Sequence, residues 1–459
     1  MFRGMAAPPG TPETTLSGWG RRFVHGSEVF SENLERATQD SVLSRGLGRS
    51  YGDSSLPPSD HPIALNTTLA DRILSFDSDS GALRAEAGLS LWELNRLFLL
   101  SGRNRFVPVS PGTQFVTLGG MVAADVHGKN QHVDGNIGHH ILGLRLRVAD
   151  GRIVECSPTA NTELFRATVG GMGLTGHILE VELHMKEIPS PWIYQKAFRA
   201  ENLDELQDLL EKAAREWPMT YGWIDCMTRG ATMGRGIVLA GRWAERSEAP
   251  LDLPKRRRGP RLPFTLPSWA LNRFTLRLMN ELIYRKQWTK ESEGLVHPET
   301  FFYPLDMIQD WNRMYGSRGL TQWQGLIPRA AGKDSARRIL DLLTRRGGAS
   351  FLAVLKDCDM EGVGMLSFPG KGITLALDIP VRGDTQALID ELNEALLREG
   401  GRIYLAKDSF TRPEHFQKME PRLAEFERVR DQWDPERRIR SAQSVRLFGD
   451  PPTAQRSRS

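Results

Sequence analysis

The chain has 459 residues, more than one hydrophobic core normally accommodates, so its length predicts two or three domains. Hydrophobic residues make up 40% and charged residues 25%, as in ordinary soluble globular proteins. The net charge of +4 suits a phosphate-bearing ligand or a membrane surface, but it does not by itself establish nucleic-acid binding.

The cysteines and the chain termini limit the cellular location. Cys156, Cys226 and Cys358 are widely spaced and odd in number, so neither a disulfide framework nor a zinc ribbon is supported. No signal peptide is recognised, and no run of about 18 apolar residues predicts a transmembrane helix. We expect a cytoplasmic protein, with a peripheral position at a membrane as the alternative.

Short strands and helices alternate in the first part of the chain. A strand is predicted over 82–87, and Ser90-x-x-Glu93 predicts a capping box that starts a helix. Strands over 142–148 and 152–155 flank an Asp-Gly turn and predict a hairpin. The pattern indicates an α+β domain without the repeated βαβ units of a doubly wound sheet.

Two glycine-rich stretches predict contact with an anion. Residues 45–54 (RGLGRSYGDS) combine glycines and arginines, which suits a loop that wraps a diphosphate with its backbone amides. In residues 111–130 (PGTQFVTLGGMVAADVHGKN), the N–H groups of 117–120 are expected to hold an anion. A glycine-containing buried turn beside a core helix explains the second stretch equally well.

A third glycine run, residues 167–176, contains the pattern G-x-G-x-x-G of dinucleotide-binding folds. That fingerprint requires a strand before it and a helix after it. Here a helix-like ELFRATV precedes it, and the alternating residues 177–186 that follow predict a half-buried strand. The order is reversed, so we do not predict an NAD site.

The pattern changes after Pro189-Ser-Pro191. The apolar spacing predicts an antiparallel sheet with helices on one face. The predicted helices are 203–216, 335–344, 385–399 and 421–433, and the predicted strands are 221–225, 236–240, 320–327, 350–355 and 372–379.

Residues 254–290 interleave basic and aromatic side chains. This composition fits a mobile interfacial membrane segment or a lid over a lipid-bearing substrate. A solvated, partly ordered loop is at least as compatible with the sequence. A nucleic-acid interface is disfavoured because no recognised motif accompanies the charge.

The motifs together resemble the flavin domain of the vanillyl-alcohol oxidase/p-cresol methylhydroxylase superfamily. Within it they are similar to the decaprenylphosphoryl-β-D-ribose 2′-oxidase family. The resemblance extends from about Gly18 to Phe448. The similar motifs are RGLGRSYGD, PGT-x-x-VT-x-GG-x-x-A-x-D-x-HGKN, ELF-x-ATVGG-x-GLTG, YPLDMIQDWNRMYG (303–316), QWQGLIP (322–328), LSFPGKG (366–372) and IYLAKDS (403–409).

The resemblance implies an α+β fold in which a substrate domain is inserted into an FAD-binding domain. The expected boundaries are 17–190 for the FAD-binding domain, 191–401 for the substrate domain and 402–450 for the return to the FAD-binding domain. Residues 1–16 and 451–459 are rich in proline, threonine and serine and are predicted to be disordered.

The resemblance also implies the reaction. The family oxidises the 2-hydroxyl of a polyprenyl-phosphate-linked pentose to a keto sugar, and a separate short-chain dehydrogenase/reductase completes the epimerisation in arabinose synthesis for cell-wall or surface glycans. The alternative within the same class is an FAD-dependent alditol or sugar-lactone oxidase. An NAD dehydrogenase would need the rejected fingerprint, and a basic lipid- or nucleic-acid-binding module would not need three glycine loops.

The cofactor implied is FAD, bound non-covalently. Relatives that tether the flavin through the first loop often use a histidine where this chain has Arg49, which cannot form that bond. The residues expected to bind FAD are Arg45, Gly46, Leu47, Gly48, Arg49, Ser50, Tyr51, Gly52, Asp53, Gly112, Thr117, Leu118, Gly119, Gly120, Ala124, Asp125, His127, Gly176, Ile178 and Tyr404.

Lys407 and His127 are the expected catalytic residues. A lysine desolvated against a flavin can accept the hydroxyl proton or stabilise charge on the reduced ring. The alternatives are a surface lysine paired with Asp408 and a histidine buried in the core. The residues expected to bind substrate are Tyr51, Lys129, Tyr315, Gln322, Gln324, Thr374 and Lys407.

Two further observations complete the predicted site. The best-known family members carry a cysteine and an asparagine where this chain has Ala376 and Thr374, so the shape of the substrate pocket is expected to differ. His139 and His140 are not assigned to a metal, because neighbouring residues in a strand point to opposite faces.

Overall fold

The computed structural model describes residues 15–255, 259–347 and 352–451. The disorder predicted for the termini falls mostly on residues 1–14 and 452–459, outside the described residues. The start of the strand predicted at 350–355 also lies outside them. No helix of the described chain is long and apolar enough to cross a membrane.

The strands are short, as is usual for a mixed fold. Those in the described residues are β1 (Thr15–Ser17), β2 (Phe23–His25), β3 (Ser27–Phe30), β4 (Ser44–Arg45), β5 (Ile63–Asn66), β6 (Ile73–Phe76), β7 (Ala82–Glu86), β8 (Arg105–Phe106), β9 (Ile141–Arg147), β10 (Ile153–Cys156), β11 (His177–His184), β12 (Lys186–Glu187), β13 (Ile193–Ala200), β14 (Met219–Ile224), β15 (Gly236–Trp243), β16 (Glu291–Val296), β17 (Leu320–Pro328), β18 (Ala353–Cys358), β19 (Gly372–Pro380) and β20 (Arg402–Ile403). The predicted hairpin is confirmed as β9 and β10.

The longest helices of the described residues lie after residue 200. Those in the described residues are α1 (Leu34–Ala37), α2 (Leu91–Leu94), α3 (Leu118–Ala123), α4 (Gln131–Asp134), α5 (Thr162–Thr168), α6 (Leu203–Glu216), α7 (Arg273–Lys286), α8 (Pro298–Phe302), α9 (Asp334–Arg345), α10 (Thr385–Arg398), α11 (Pro413–Met419), α12 (Leu423–Trp433) and α13 (Ala442–Leu447). The predicted capping box is confirmed: the Ser90 hydroxyl accepts from the Glu93 amide, and the Glu93 carboxylate accepts from the Ser90 amide.

Two sheets organise the first part of the chain. A five-stranded antiparallel sheet has the order β10-β9-β11-β7-β6, and a small parallel sheet has the order β3-β5-β4. The helix α3 packs on β11 and buries Leu118, Met121 and Val122 in the same core. The G-x-G-x-x-G run lies between α5 and β11, which confirms the reversed order that argued against an NAD site.

An eight-stranded antiparallel sheet organises the second part. Its order is β16-β13-β15-β14-β18-β19-β17-β20. Because side chains alternate along a strand, the sheet has two faces with different neighbours. On one face Val238 shares a core with Leu210 of α6 and with residues of α9 and α10.

The prediction that helices cover only one face is wrong for α7. Ile237 and Trp223 point to the other face and pack with Ile283 of α7. The sequence pattern missed this helix because only part of one side of it is buried, so its apolar spacing does not resemble that of a core helix.

The segment after α10 belongs to both parts of the fold. β20 pairs with β17 at the edge of the eight-stranded sheet, although 402 was expected to begin the return to the first domain. Further on, Phe426 and Val429 of α12 pack against Ala167 of α5. The domain boundaries therefore stay predictions.

Candidate FAD and substrate site

One cavity of about 320 Å³ lies between the glycine-rich loops and the eight-stranded sheet. Its walls come from the loop after β4, from residues around α3, from the turn before β11, and from β14, β17, β18 and β19. Five basic side chains and one carboxylate line it: Arg45, Arg49, Lys129, Lys356, Lys407 and Asp306. The excess of positive charge favours a ligand that carries phosphate.

The loop 46–50 presents a row of free amides to this cavity. Among the described residues, none of the amide hydrogens of this loop donates to a protein acceptor. Gly48 has a φ of +62°, and a Cβ at Gly46 would lie 2.3 Å from Thr117 Oγ1. Glycine is therefore required at both positions, and the amides are available to an anion.

The amides of 118–120 do not serve the predicted purpose. The N–H of Leu118 donates to Leu89 O (2.9 Å), and that of Gly119 donates to Ala87 O (2.8 Å). The N–H of Gly120 donates to the side chain of Thr117, the N-cap of α3. The sequence suggested an anion site, whereas the structure uses the amides of Leu118 and Gly119 to fix α3 against the chain after β7, and that of Gly120 to cap α3.

The sheet provides the opposite wall through alternate residues of neighbouring strands. Gln322 and Gln324 of β17 line the cavity beside Thr374 and Ala376 of β19. On the next strand, Lys356 lies opposite Thr374 in the register. This face brings together polar groups that are up to 52 residues apart in sequence, Gln322 and Thr374.

Lys407 lies at this wall, with its Nζ 4.1 Å from the centroid of the Tyr51 ring. Burial lowers its pKa to about 8, against the opposing charge of Asp378, and Lys356 lowers it further. Asp408 is paired with Arg446 (2.8 Å), so the alternative of a surface lysine paired with Asp408 is not what the structure contains.

Asp378 is a buried carboxylate behind the sheet wall. It accepts a hydrogen bond from the Gln322 amide, and its Oδ2 has no partner among the described residues. Burial raises its pKa to about 7, while the hydrogen bond from Gln322 and the charge of Lys407 oppose that increase. Burial thus disfavours the charge on both Asp378 and Lys407, while the charge of each favours the charge of the other.

His127 is buried between Phe368 and Tyr404, with ring centroids at 5.6 and 5.2 Å. Burial, followed by the charges of Lys356 and Lys407, holds the pKa of His127 well below its usual value, so the ring is neutral. The Gln324 amide donates to Nε2 (3.1 Å), which leaves the proton on Nδ1. In the described chain Nδ1 has no partner, so it can donate to a ligand.

Lys129 is a buried residue that also lines the cavity. Its ammonium donates to Phe302 O (2.8 Å) and lies 4.5 Å from the centroid of the Tyr221 ring. Burial, and then the charge of Lys356, lower its pKa well below the usual value.

Arg49 and Asp306 form the rim opposite the sheet. The Arg49 guanidinium stacks 4.1 Å from the centroid of the Trp19 ring, and its Nε is buried without a partner among the described residues. Asp306 accepts from Thr113 Oγ1 (2.8 Å) and from the backbone N–H of Gln114 (2.9 Å). Burial raises the pKa of Asp306 to about 6, while hydrogen bonds and Arg49 oppose the shift.

Most predicted site residues line the cavity. They are Arg45, Gly46, Leu47, Gly48, Arg49, Ser50, Tyr51, Gly112, Thr117, Gly119, Gly120, Ala124, His127, Lys129, Gly176, Ile178, Gln322, Gln324, Thr374, Tyr404 and Lys407. His139 and His140, expected in a strand, instead follow each other in a short 3-10 helix. In the described chain, no cluster of three or more potential metal ligands is found.

Five predicted residues do not line the cavity. Asp125 accepts from Asn136 and Gly138 and from the Ser367 hydroxyl, so it fixes the turn beside the cavity. Asp53 pairs with Arg446 (2.7 Å). The other three are packed against neighbours: Leu118 in the core, Gly52 against Asp408 O and Tyr315 against Trp311.

Asp306, Lys356 and Asp378 were missed by the sequence analysis. Asp306 lies in the quoted motif YPLDMIQDWNRMYG, so its charge within an otherwise apolar turn was an available signal. Lys356 and Asp378 lie in strands, and only the pairing of β17, β18 and β19 brings them to the site.

The residues fit FAD. A diphosphate matches the free amides of loop 46–50, and the unpartnered Nδ1 of His127 and Nε of Arg49 are donors that a ligand can satisfy. A profile of the FAD binding domain matches residues 33–157. The fold and the site thus define an FAD-dependent oxidoreductase, and FAD is its cofactor.

Similarity to individual proteins gives the family. The decaprenylphosphoryl-β-D-ribose oxidase of Mycolicibacterium smegmatis is 34% identical over 457 residues, covering 95% of this chain and 98% of that protein. An uncharacterized protein of Streptomyces coelicolor is 33% identical over 349 residues, covering 72% and 92%. L-Gulonolactone oxidase of Scyliorhinus torazame is 28% identical over 183 residues, or 40% of each chain. The chain belongs to the decaprenylphosphoryl-β-D-ribose oxidase family.

Proposed function

We propose that the protein uses FAD to oxidise the 2-hydroxyl of a polyprenyl-phosphate-linked pentose to a keto sugar. The observation that carries the proposal is that Lys407, Gln322 and Gln324 share one cavity with the glycine loop 46–50. The name of the Mycolicibacterium smegmatis relative, which is similar along almost the whole chain, supports the same substrate class.

FAD, when bound, would supply the acceptor for the hydride that leaves the carbinol carbon. Because the pKa of Lys407 is lowered to about 8, its amine can take the hydroxyl proton at near-neutral pH. The resulting ammonium stabilises negative charge that develops in the site. Gln322 and Gln324 orient the sugar as uncharged donors and acceptors, and Gln324 also keeps His127 in the tautomer with a proton on Nδ1.

The polar wall suits a phosphosugar. The lining basic side chains exceed the single lining carboxylate, which favours a substrate with a phosphate over a neutral sugar. Ala376 and Thr374 are smaller or differently polar than the cysteine and asparagine of the best-known family members. They alter the shape of the pocket without removing a group that the oxidation needs.

Two partners follow from the chemistry of this reaction. The keto sugar needs a ketone reductase to complete the epimerisation, for which a short-chain dehydrogenase/reductase is the expected class. The polyprenyl chain resides in a bilayer, so the enzyme is expected to work peripherally at a membrane. The expected role is arabinose supply for cell-wall or surface glycans.

Anaerobic reduction of the bound flavin tests the proposal. Polyprenylphosphoryl ribose should bleach the flavin spectrum, and mass spectrometry should find a sugar that has lost two hydrogens. L-Gulonolactone and a free alditol serve as comparison substrates, since similarity to the lactone oxidase covers only 40% of the chain. Faster bleaching by either comparison substrate would refute the proposed substrate class.

A further inference from the structure

The helix α7 carries an apolar stripe that faces solvent. Phe274, Leu278 and Leu282 are 75%, 51% and 62% exposed, and their spacing of four residues aligns them along one side of the helix. The opposite side buries Leu276 and packs Ile283 against the sheet. A single exposed leucine needs no explanation, but an aligned row on an ordered helix indicates a binding surface.

Aromatic residues extend this surface beyond the helix. Trp269 before α7 and Trp288 after it are 76% and 80% exposed, and Phe264 is 60% exposed. Tryptophan is favoured at membrane–water interfaces because its ring is apolar while its N–H remains hydrated. We name the surface formed by Phe264, Trp269, Phe274, Leu278, Leu282 and Trp288 the α7 face.

The segment that carries the α7 face is mostly positively charged. Residues 259–290 contain six basic residues and one acidic residue, Glu281. Glu281 is already paired with Arg235 and Arg285. Among the described residues, Arg273, Arg277 and Lys286 have no carboxylate partner and are exposed. Exposed apolar side chains flanked by cations complement an anionic lipid surface.

The α7 face is connected to the cavity through the buried side of the same segment. Leu271 and Leu276 pack in one cluster with Tyr51 and Trp311, both of which line the cavity. The strand-like chain before α7 also bonds to residue 309: the Gln309 amide donates to Pro260 O (2.9 Å). A ligand on the α7 face is thus held beside the wall of the cavity.

We propose that the α7 face binds the surface of an anionic membrane, with α7 lying in the headgroup layer. The aromatic and leucine side chains enter the boundary with the acyl chains, and Arg273, Arg277 and Lys286 contact lipid phosphates. The role of this contact, delivery of a lipid-linked sugar to the cavity, rests on the proposed function. The contact itself does not.

Vesicle binding tests the α7 face without any substrate. The holoenzyme should co-sediment with vesicles of equal parts phosphatidylcholine and phosphatidylglycerol, more weakly with phosphatidylcholine alone and more weakly at high salt. The triple variant Phe274→Ser, Leu278→Ser and Leu282→Ser should bind at least tenfold more weakly. A matched variant with serine at Leu69, Val133 and Leu142, which are also exposed, should bind like the wild type.

Two results would overturn the proposal. One is equal vesicle binding by the wild type and by the α7 triple variant. The other is a wild-type dimer in sedimentation that the triple variant loses while vesicle binding is absent, which would assign the α7 face to a second copy of the chain. A blue shift of tryptophan fluorescence on vesicles, missing in Trp269→Ser/Trp288→Ser, checks the orientation.

The proposed function can fail separately. A water-soluble, short-chain polyprenylphosphoryl ribose should reduce the flavin of the wild type and of the triple variant at the same rate, because the substitutions lie outside the cavity. If neither form is reduced while only the wild type binds vesicles, the substrate is wrong and the membrane surface stands. If the flavin of both forms is reduced and neither form binds vesicles, the substrate class stands and the membrane surface is wrong.

Discussion

Lys407 is surrounded by the features that lower the pKa of a lysine. Burial removes water from its ammonium, and Lys356 repels it, while the charge of Asp378 opposes these two effects. A lysine on an open surface would feel none of these effects. The environment therefore supports a chemical role for Lys407, and two predictions follow at the scale of single residues.

Lys407→Ala should retain FAD and the fold but lose roughly a hundredfold or more in turnover, because a preorganised charge of this kind contributes about 3 kcal/mol. Lys407→Arg should rescue poorly, since the planar guanidinium neither fits nor deprotonates readily. Anaerobic stopped-flow reduction of the flavin measures the effect. Lys371→Ala, at an exposed lysine, is the matched control, and a wild-type reduction rate in Lys407→Ala would exclude the assignment.

Asp378→Asn should move the pH dependence of flavin reduction to lower pH. Its carboxylate raises the pKa of Lys407, so the neutral amide lets that pKa fall below about 8. A rate that rises with deprotonation of Lys407 would then rise at lower pH. A rate that needs the ammonium falls as the pH rises, and in the variant this fall would begin at a lower pH than in the wild type. In both cases the limb of the pH–rate profile that Lys407 controls moves to lower pH: the rising limb in the first case and the falling limb in the second.

The measurement is the rate of flavin reduction between mildly acidic and alkaline pH. The neighbouring groups that share this field are Lys407, Lys356, Tyr51 and the Gln322 amide. The double variant Asp378→Asn/Gln322→Glu restores a carboxyl group beside Lys407. Its pH–rate profile should therefore return toward that of the wild type. If the pH–rate profile of Asp378→Asn matches that of the wild type, Asp378 only packs against Gln322 and does not influence Lys407.

At the scale of elements, the loop after β4 and the start of α3 fit each other closely. Thr117 caps α3, and its side chain occupies the space beside Gly46. The loop can keep its free amides because no side chain at this position pushes it away from α3. A local change in the loop should therefore affect the cofactor before it affects the fold.

Gly46→Ala should lower FAD affinity at least tenfold, because its Cβ would lie 2.3 Å from Thr117 Oγ1 and force the loop to move. The readouts are the ratio of flavin to protein absorbance after purification and a titration of the stripped protein with FAD. Gly383→Ala is the control, since a Cβ there meets nothing within 4 Å. Full FAD content in Gly46→Ala would show that the loop does not contact the cofactor.

At the scale of the whole molecule, the cavity lies where the two large sheets meet. The five-stranded and eight-stranded sheets meet around a space lined by residues of both, so a bound cofactor adds contacts that the empty protein lacks. A ligand that binds only the folded state stabilises that state by mass action.

Removing FAD should therefore lower the melting temperature, and each tenfold increase in free FAD above its Kd should add about 1.4 kcal/mol to the free energy of unfolding. Since Arg49 cannot form a covalent link, acid precipitation should leave the yellow flavin in the supernatant. Thermal unfolding of the stripped protein across an FAD series measures the first effect. Colour that stays in the pellet would contradict non-covalent binding.

Local patterns in the sequence predicted many of the elements. The capping box at Ser90, the hairpin of β9 and β10 and the helix α6 depend on neighbouring residues only, so they could be read directly. The glycine loop 46–50 was recognised for the same reason: its composition already excludes side chains that would cover its amides. The motifs also identified the family.

Tertiary structure decided which polar groups meet and which amides stay free. Asp378 and Lys356 join Lys407 only because β17, β18 and β19 pair in one register, and a register is a long-range property. The amides of Leu118 and Gly119 donate to the chain around residue 88, which no local pattern indicates. The exposure of Phe274 on α7 was likewise decided by packing, because the burial of a helix face depends on what lies against it.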